Sequence, residues 1–168
     1  ETVHGVFDVL TKEAIPHEIL VVNDHSTDRT GEILKKILKE VPSLRQINNS
    51  LPNGFGYAVR CGLNNFKGDC VALFMADSSD SPDDLVKFYR TLVQGNYDAV
   101  FGSRFMPDGQ TVNYPIVKFC LNRVANSLIR LLFGLRYNDV TNAFKIYRME
   151  SMEELKPFLS GHFNLTVE

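Results

Sequence analysis

The chain has 168 residues, 44% hydrophobic and 23% charged, which is enough for one domain with a substantial core. Its net charge of -2 lacks the basic excess that phosphate-backbone binding requires, so nucleic acid is not an expected partner. No apolar run is long enough to cross a bilayer, and the three cysteines lack metal-ligand spacing. A reducing, cytoplasmic location is therefore expected.

The first third of the chain predicts helices alternating with strands. Apolar residues at helical spacing predict a helix over the first dozen residues, ending near Pro16. A buried strand over residues 18–22 ends in a polar turn, after which Thr30 is expected to cap a second helix. The elements that follow are a short strand at 44–47, a loop rich in turn residues at 48–56 and a helix at 57–66.

The rest of the chain continues this alternation. A strand over residues 69–75 ends abruptly in acids and hydroxyls, and Pro82 then opens a helix that reaches residue 93. The remaining elements are a strand at 98–101, a helix at 115–133 closed by Gly134, a strand at 144–148 and a short helix at 152–159. Such regular alternation predicts one α/β domain over residues 1–168, with a mostly parallel sheet and helices on both faces.

The helix predicted over residues 115–133 has two different ridges. One consists of polar residues spaced four apart, namely Lys118, Asn122, Asn126 and Arg130. The other is apolar and consists of Val117, Leu121, Val124, Leu128 and Leu131. Two interpretations of the polar ridge are open, an ordinary solvent face or the lining of an acceptor groove near a membrane surface.

Acidic side chains follow two of the predicted strands. Asp24 comes after the strand at 18–22, and Asp77 and Asp80 come after the strand at 69–75. Carboxyl ends of parallel strands share one edge of a sheet, so these acids are expected at one pocket. Carboxylates there suit a hard cation such as Mg²⁺ or Mn²⁺, which in turn suits a diphosphate. The simpler interpretation is that the acids only form turns and helix caps.

Several motifs together resemble family 2 glycosyltransferases with the GT-A fold. Residues 21–30 resemble the family's Val-Asp-Asp-Gly-Ser-x-Asp-x-Thr signature, and residues 53–63 resemble its Asn-x-Gly-x-Gly-x-Ala-x-Arg-x-Gly loop. The motifs that follow in the family's order are Gly68-Asp69, Ala76-Asp77, Gly102-Ser103-Arg104 and residues 139–144. The nearest branch resembles the dolichyl- or undecaprenyl-phosphate sugar transferases. The family's first strand is missing, and residues 166–168 carry no C-terminal stop signal, so the fold is expected to be truncated at both ends.

The resemblance implies a nucleotide-diphosphate sugar as donor and a divalent cation as cofactor. Asp24 corresponds to the residue that recognises the nucleobase or its ribose, and Asp77 to the second aspartate of the metal motif, with Asp80 as an added ligand. Arg104 is implied to face the diphosphate or the sugar. The implied donor-binding set is Asp24, Ser26, Asp28, Asn53, Gly54, Gly56, Arg60, Ala76 and Ser79.

The resemblance also implies inverting transfer to a lipid phosphate or glycan acceptor, in lipid-linked glycan or cell wall biosynthesis. Lys118 and Asn122 occupy the positions that hold acceptor phosphate in the polyprenyl-phosphate branch, and Glu168 is a further candidate for an acceptor contact. Asp77, Arg104 and Lys118 are the implied catalytic residues. A peripheral contact with the cytoplasmic face of a membrane is expected.

Two alternatives to a glycosyltransferase stay open, and the first follows from a departure from the family pattern. Met75 stands where the first aspartate of the metal motif is expected, so only one carboxylate of that motif remains. A non-catalytic module that binds nucleotide sugars is therefore one alternative. The other is a nucleotidyltransferase that makes a nucleotide sugar.

Overall fold

Helices and strands alternate along the chain in the computed structural model, which describes residues 1–106 and 115–162. The helices are α1 (Thr2–Lys12), α2 (Thr30–Glu40), α3 (Phe55–Leu63), α4 (Pro82–Gln94), α5 (Ile116–Phe133) and α6 (Met149–Glu154). The strands are β1 (Ile19–Asn23), β2 (Leu44–Asn48), β3 (Cys70–Leu73), β4 (Ala99–Phe101) and β5 (Lys145–Arg148). The predicted α/β class is confirmed.

The described strands form two groups that pair differently. β1 and β2 are parallel, with Ile19 opposite Leu44. β5 lies between β3 and β4 and is antiparallel to both, with Val71 opposite Tyr147 and Phe101 opposite Lys145. β3 and β4 therefore point in the same direction. The reversal of β5 was not apparent in the sequence, because alternation along a strand does not identify its partners.

Helix α1 lies close to both β1 and β3. The hydroxyl of Thr2 donates to the carbonyl oxygen of Ala76 at 2.9 Å, so α1 begins beside the chain that has just left β3. β1 begins shortly after α1 ends, and Ile19 of β1 and Ala72 of β3 pack against the same core cluster as α1. β1 and β3 thus both lie beside α1 and contribute to one core.

An apolar cluster between α1, α4 and the strands forms the core. Its buried members are Val6, Leu10, Leu85, Val86 and Phe144. The ring of Phe144 lies 4.5 Å from that of Phe88 and 5.3 Å from that of Phe74, centre to centre. Phe144 precedes β5 directly, so this aromatic contact anchors β5 to α4 and to the chain after β3.

The structure corrects three local predictions. Thr30 is not the cap of α2 but its first residue, and its amide donates to the carboxylate of Asp28 at 2.9 Å. α3 begins at Phe55, two residues before the predicted start, because Gly54 adopts a positive φ of 150° that ends the loop there. The last helix was predicted at 152–159 but spans Met149–Glu154, directly after β5. The predicted end of α5 is confirmed, because Gly134 is left-handed with φ 63°.

We expect Phe144→Ala to lower the free energy of unfolding by about 3–5 kcal/mol, because it leaves a cavity between two rings that cannot close fully. Urea denaturation monitored by circular dichroism measures this loss. Ile33→Ala is the matched control, since Ile33 is half exposed on α2 and its truncation should change stability by less than about 0.5 kcal/mol. Equal losses in the two variants would contradict the assignment of the core.

Candidate functional site

Asp24 organises the first polar corner of the candidate site, at the end of β1. Its carboxylate accepts hydrogen bonds from the side-chain amide of Asn49 at 2.7 Å and from the backbone amide of Gly54 at 2.9 Å. Asn53 donates to the carbonyl oxygen of Asp24 at 3.1 Å. These four residues are called the β1 corner below. Burial raises the pKa of Asp24, but the bonds from Asn49 and Gly54 outweigh it, and the pKa is lowered.

The other residues predicted near Asp24 lie around this corner or point away from it. The amide of Ser26 donates to the side chain of Asn23 at 3.1 Å. Asp28 accepts the amide of Thr30, whose hydrogen bonds lower the pKa of Asp28, so this carboxylate supports the start of α2. Arg60 lies on the last turn of α3, where it donates to the carbonyl oxygen of Leu159 at 3.3 Å. Its guanidinium is thus directed toward the chain after α6 rather than toward Asp24.

Gly56 permits a close approach of two chain segments beside the β1 corner. A Cβ atom at Gly56 would lie 2.6 Å from the backbone nitrogen of His162 and the same distance from the carbonyl carbon of Gly161. Since both neighbours are backbone atoms, no side chain fits at position 56. The sequence indicated a turn or a donor loop here, and the structure adds a steric reason for the glycine.

Asp77 and Asp80 form the second polar corner, beyond the end of β3. Asp77 accepts the amide of Ser79 at 3.0 Å, and the hydrogen bonds from Ser79 lower the pKa of Asp77. Asp80 accepts the amide of Met75 at 2.9 Å. Burial, with the charge of Asp77 adding to it, raises the pKa of Asp80, whereas the Met75 amide and the charge of Arg104 oppose that rise. Asp80 thus interacts electrostatically with both Asp77 and Arg104.

The two carboxylates of this corner can bind a hard divalent cation only if further ligands complete its coordination shell. Within the described residues, no three histidine, cysteine, aspartate or glutamate side chains are grouped as a metal site. Asp77 and Asp80 each use one carboxylate oxygen to accept a backbone amide, so each keeps a second oxygen. Mg²⁺ commonly takes one or two carboxylates and fills its shell with phosphate oxygens and water. The pair therefore fits a cation that arrives with a diphosphate.

Arg104 is held by a fully buried carboxylate. Its Nε and Nη2 atoms donate to Asp139 at 2.8 and 2.7 Å, and its backbone amide donates to the same carboxylate at 3.0 Å. The side chain of Asp139 has no exposed surface, whereas that of Arg104 is 28% exposed. Arg104 was predicted to face the donor, and the structure shows that two donors of its guanidinium belong to Asp139. The sequence placed Asp139 in a motif but gave it no role.

Lys145 is a buried cation near Asp139, and sequence reasoning missed it. It is 4% exposed, and its Nζ lies 4.8 Å from the centre of the Phe101 ring. Burial lowers the pKa of Lys145 to about 8, while the charge of Asp139 opposes that shift. The only sequence signal was its position directly after the motif at 139–144. Asp77, Asp80, Arg104, Asp139 and Lys145 are called the β3 corner below.

Helix α5 presents its polar ridge differently from the prediction. Asn126 is 2% exposed, so the solvent-face interpretation of the ridge is wrong at this residue. Its Oδ1 accepts the amide of Val140 at 2.7 Å, and its Nδ2 donates to the hydroxyl of Thr141 at 3.1 Å and to the carbonyl oxygen of Asn122 at 3.0 Å. Thr141 also accepts a bond from Arg104 at 3.3 Å. A polar chain thus connects α5 to the β3 corner.

The other residues predicted to bind the acceptor lie in different parts of the chain. Asn122 is half-buried beside Thr141, with its Oδ1 3.4 Å from the Thr141 hydroxyl, whereas Lys118 is exposed one turn earlier on α5. Glu168 lies outside the described residues. Asn122 is therefore a predicted acceptor residue that the structure connects to the β3 corner.

Comparison with known proteins defines the class to which the chain belongs. Residues 1–156 match the family model described as Glycosyl transferase family 2. The chain is therefore a member of glycosyltransferase family 2, and the resemblance found in its motifs is confirmed. Its α/β architecture agrees with the GT-A fold of that family.

Two curated relatives carry more particular names. The chain is 30% identical over 141 residues to a polyprenol monophosphomannose synthase of Mycolicibacterium smegmatis, covering 82% of this chain and 53% of that protein. It is 29% identical over 150 residues to an undecaprenyl-phosphate mannosyltransferase of Micrococcus luteus, covering 86% of this chain and 60% of that protein. The chain thus spans less than two thirds of each relative. In the part of the chain that the structure describes, no helix is both long and apolar enough to cross a membrane.

We expect Asn126→Ala to cost about 1–3 kcal/mol of unfolding free energy, because it leaves the buried amide of Val140 without its acceptor. Chemical denaturation measures the loss. The control is Ser127→Ala, the exposed neighbour on the same helix, for which a change below about 0.5 kcal/mol is expected. If the two alanine variants were equally stable, Asn126 would not anchor α5.

Proposed function

We propose that this chain is the catalytic region of a glycosyltransferase that moves a sugar from a nucleotide-diphosphate donor to a polyprenyl phosphate. The observation that carries the proposal is the β3 corner, where two carboxylates and a guanidinium interact at the end of a strand in a family 2 chain. The carboxylates can bind the cation, and the guanidinium can bind the negatively charged diphosphate.

The donor is proposed to lie across the two corners. Asp24 remains a carboxylate at neutral pH because its hydrogen bonds lower its pKa, so it can accept a bond from a nucleobase or a ribose hydroxyl. At the other corner, Asp77 and Asp80 would hold Mg²⁺ or Mn²⁺, which neutralises negative charge on the diphosphate when bound. Arg104 adds a positive charge that Asp139 holds in place.

The acceptor is proposed to be a polyprenyl phosphate, because both relatives carry names of enzymes that act on such lipids. A phosphate oxygen is already anionic near neutral pH, so it needs positioning more than it needs a strong general base. Lys118 and Asn122, one turn apart on α5, are proposed to position it. Attack on the anomeric carbon from the face opposite the leaving diphosphate inverts the configuration of the sugar. A lipid acceptor implies a reaction at a membrane surface, and the cytoplasmic face is the one proposed.

We expect Arg104→Lys to lower transfer by about 10²–10³-fold, because lysine keeps the charge but loses the fork that Asp139 holds. The assay uses the full-length protein, a panel of labelled nucleotide-diphosphate sugars, Mn²⁺ and a short polyprenyl phosphate in detergent. Arg90→Lys is the control, since Arg90 pairs with Glu13 on the surface.

The same assay separates the alternatives. Donor binding without transfer by the unmodified protein would support the non-catalytic binding module. Exchange of labelled pyrophosphate into the nucleotide sugar would support the nucleotidyltransferase, which the family match does not favour. Loss of transfer on chelation of metal, with recovery on adding Mn²⁺, is the expected result.

We expect Asp80→Asn to raise Tm in the absence of metal and to weaken the stabilisation that metal provides. The folded-state pKa of Asp80 lies above its usual value of 3.8, so its negative charge opposes folding at neutral pH, and that penalty is lost as pH falls through the folded-state pKa toward 3.8. The variant removes the penalty and should raise Tm in chelator. It should also reduce the increase in Tm that Mn²⁺ with a nucleotide diphosphate gives the unmodified protein.

Thermal-shift measurements at neutral pH test both expected changes in Tm. Asp83→Asn is the control, because Asp83 is exposed in the first turn of α4, where its charge favours the helix. This control should lower Tm slightly and leave the response to Mn²⁺ intact. An unchanged response to Mn²⁺ in Asp80→Asn would remove Asp80 from the metal site.

A further inference from the structure

Lys145 lies between the ends of the two strands that lead into the β3 corner. It is the first residue of β5, and it is paired with Leu73, the last residue of β3, and with Phe101, the last residue of β4. The chain continues from those two strand ends to Asp77 and to Arg104. Despite this central position, Lys145 is only 4% exposed. Any effect of Lys145 on a bound ligand is therefore expected to pass through its neighbours.

The face of the sheet that carries Lys145 is aromatic. Side chains alternate along a strand, so Lys145 and Tyr147 share one face, whereas Phe144 points to the opposite face and into the core cluster. The Nζ of Lys145 lies 4.8 Å from the centre of the Phe101 ring. That ring lies 4.9 Å from the ring of Tyr137 and 5.7 Å from the ring of Tyr147. Burial raises the pKa of Tyr147 to about 12, so its hydroxyl is neutral and does not balance the charge of Lys145.

Asp139 is an anion that acts on Lys145 and also pairs with Arg104. Its charge favours the protonated form of Lys145. Its two carboxylate oxygens accept hydrogen bonds from the guanidinium of Arg104 at 2.8 and 2.7 Å. One negative charge cannot neutralise two cations, so these three groups together have a net positive charge when Lys145 is protonated. At a buried site such an excess favours an anionic ligand.

The charge of Lys145 opposes folding rather than stabilising the protein. Burial lowers the pKa of Lys145 from 10.5 to about 8, so the lysine is charged at neutral pH although folding disfavours that charge. This penalty is lost only as pH rises through 8 toward 10.5. A methionine of similar length would fill the same space without the penalty. Because stability does not account for a lysine at this position, a role in ligand binding is the better explanation.

We propose that Lys145 is a positioning residue for the diphosphate of the donor, because it shares the negative charge of Asp139 and leaves Arg104 with positive charge for the ligand. If Asp139 acted on Arg104 alone, the two charges would cancel, and the guanidinium would attract a diphosphate only weakly. With Lys145 beside them, Asp139 still orients Arg104 through its hydrogen bonds but no longer cancels its charge. This inference rests on the proposed function, in which Arg104 binds the diphosphate.

Lys145→Met in the full-length protein tests the proposal, with ADP, CDP, GDP and UDP in the presence of Mg²⁺ as probes. Isothermal titration calorimetry at neutral pH measures the dissociation constant of the nucleotide that binds most tightly. We expect this constant to rise about tenfold in the variant, because the net positive charge of the three groups is lost. Tm without ligand should stay the same or rise, since burial disfavoured the charge that the variant removes. Lys36→Met is the control, because it removes the same charge from the exposed side of α2 and should change neither value.

Lys145→Arg separates the charge of the lysine from its shape. An anionic ligand favours protonated Lys145, so the affinity of the unmodified protein should fall as pH rises from about 7 to 9, through the pKa of the lysine. Arginine stays charged over that range, so this variant should lose less affinity. The titration of the nucleotide itself is common to both proteins and cancels in the comparison. If the larger arginine does not fit, the two measurements on Lys145→Met still decide.

Two results would overturn the proposal directly. They are unchanged affinity in Lys145→Met, and an equal fall in affinity with pH in Lys145→Arg and the unmodified protein. A Lys145→Met variant that fails to fold, or that melts well below the unmodified protein, would show that the lysine supports the structure, and it would overturn the proposal as well.

Transfer assays separate this inference from the proposed function. If nucleoside diphosphates bind but no sugar is transferred, the proposed function fails, and the affinities alone decide the role of Lys145. If sugar is transferred and Lys145→Met binds nucleotide normally, only the inference about Lys145 fails. If no nucleoside diphosphate binds to the unmodified protein, both fail.

Discussion

The pairing of Asp139 with Arg104 is the interaction on which the candidate site depends. A carboxylate with no exposed surface is stable in the folded protein only if its charge is matched and its oxygens accept hydrogen bonds. Arg104 meets both needs with two side-chain donors and its backbone amide. The pair joins the chain after β4 to the turn before β5, so the same contact that neutralises Asp139 also sets the position of Arg104 relative to Asp80.

The two carboxylates of the β3 corner occupy different environments. Asp77 is exposed, and the hydrogen bonds of Ser79 favour its charged form, whereas Asp80 is half-buried and its charged form is disfavoured. A bound cation would relieve that cost at Asp80, and the charge of the half-buried Arg104 already opposes it. The corner therefore combines acidic and basic groups, which suits a ligand with a metal and a diphosphate together.

Local sequence signals predicted most of the elements, because helix periodicity, strand composition and Gly134 act within a few residues. They did not predict the place of β5, since its partners are distant in sequence. Among the site residues, the motifs indicated Asp24, Asp77 and Arg104, but which of their atoms are already used depends on Asn49, Ser79 and Asp139. The place of Asn126 stayed open because amphipathicity identifies two ridges of a helix without showing which one faces the protein.

The position of β5 also determines the order in which the domain can assemble. β1, α2 and β2 are adjacent in the chain and can associate once residue 48 has emerged from the ribosome. β3 and β4 have no such neighbour, because the strand between them ends at Arg148. Contacts of this sequence separation close slowly, and a growing polypeptide cannot form them early. The half of the molecule that contains Asp77 and Arg104 is therefore completed after the half that contains Asp24. During synthesis, the half with Asp77 and Arg104 remains unfolded for longer.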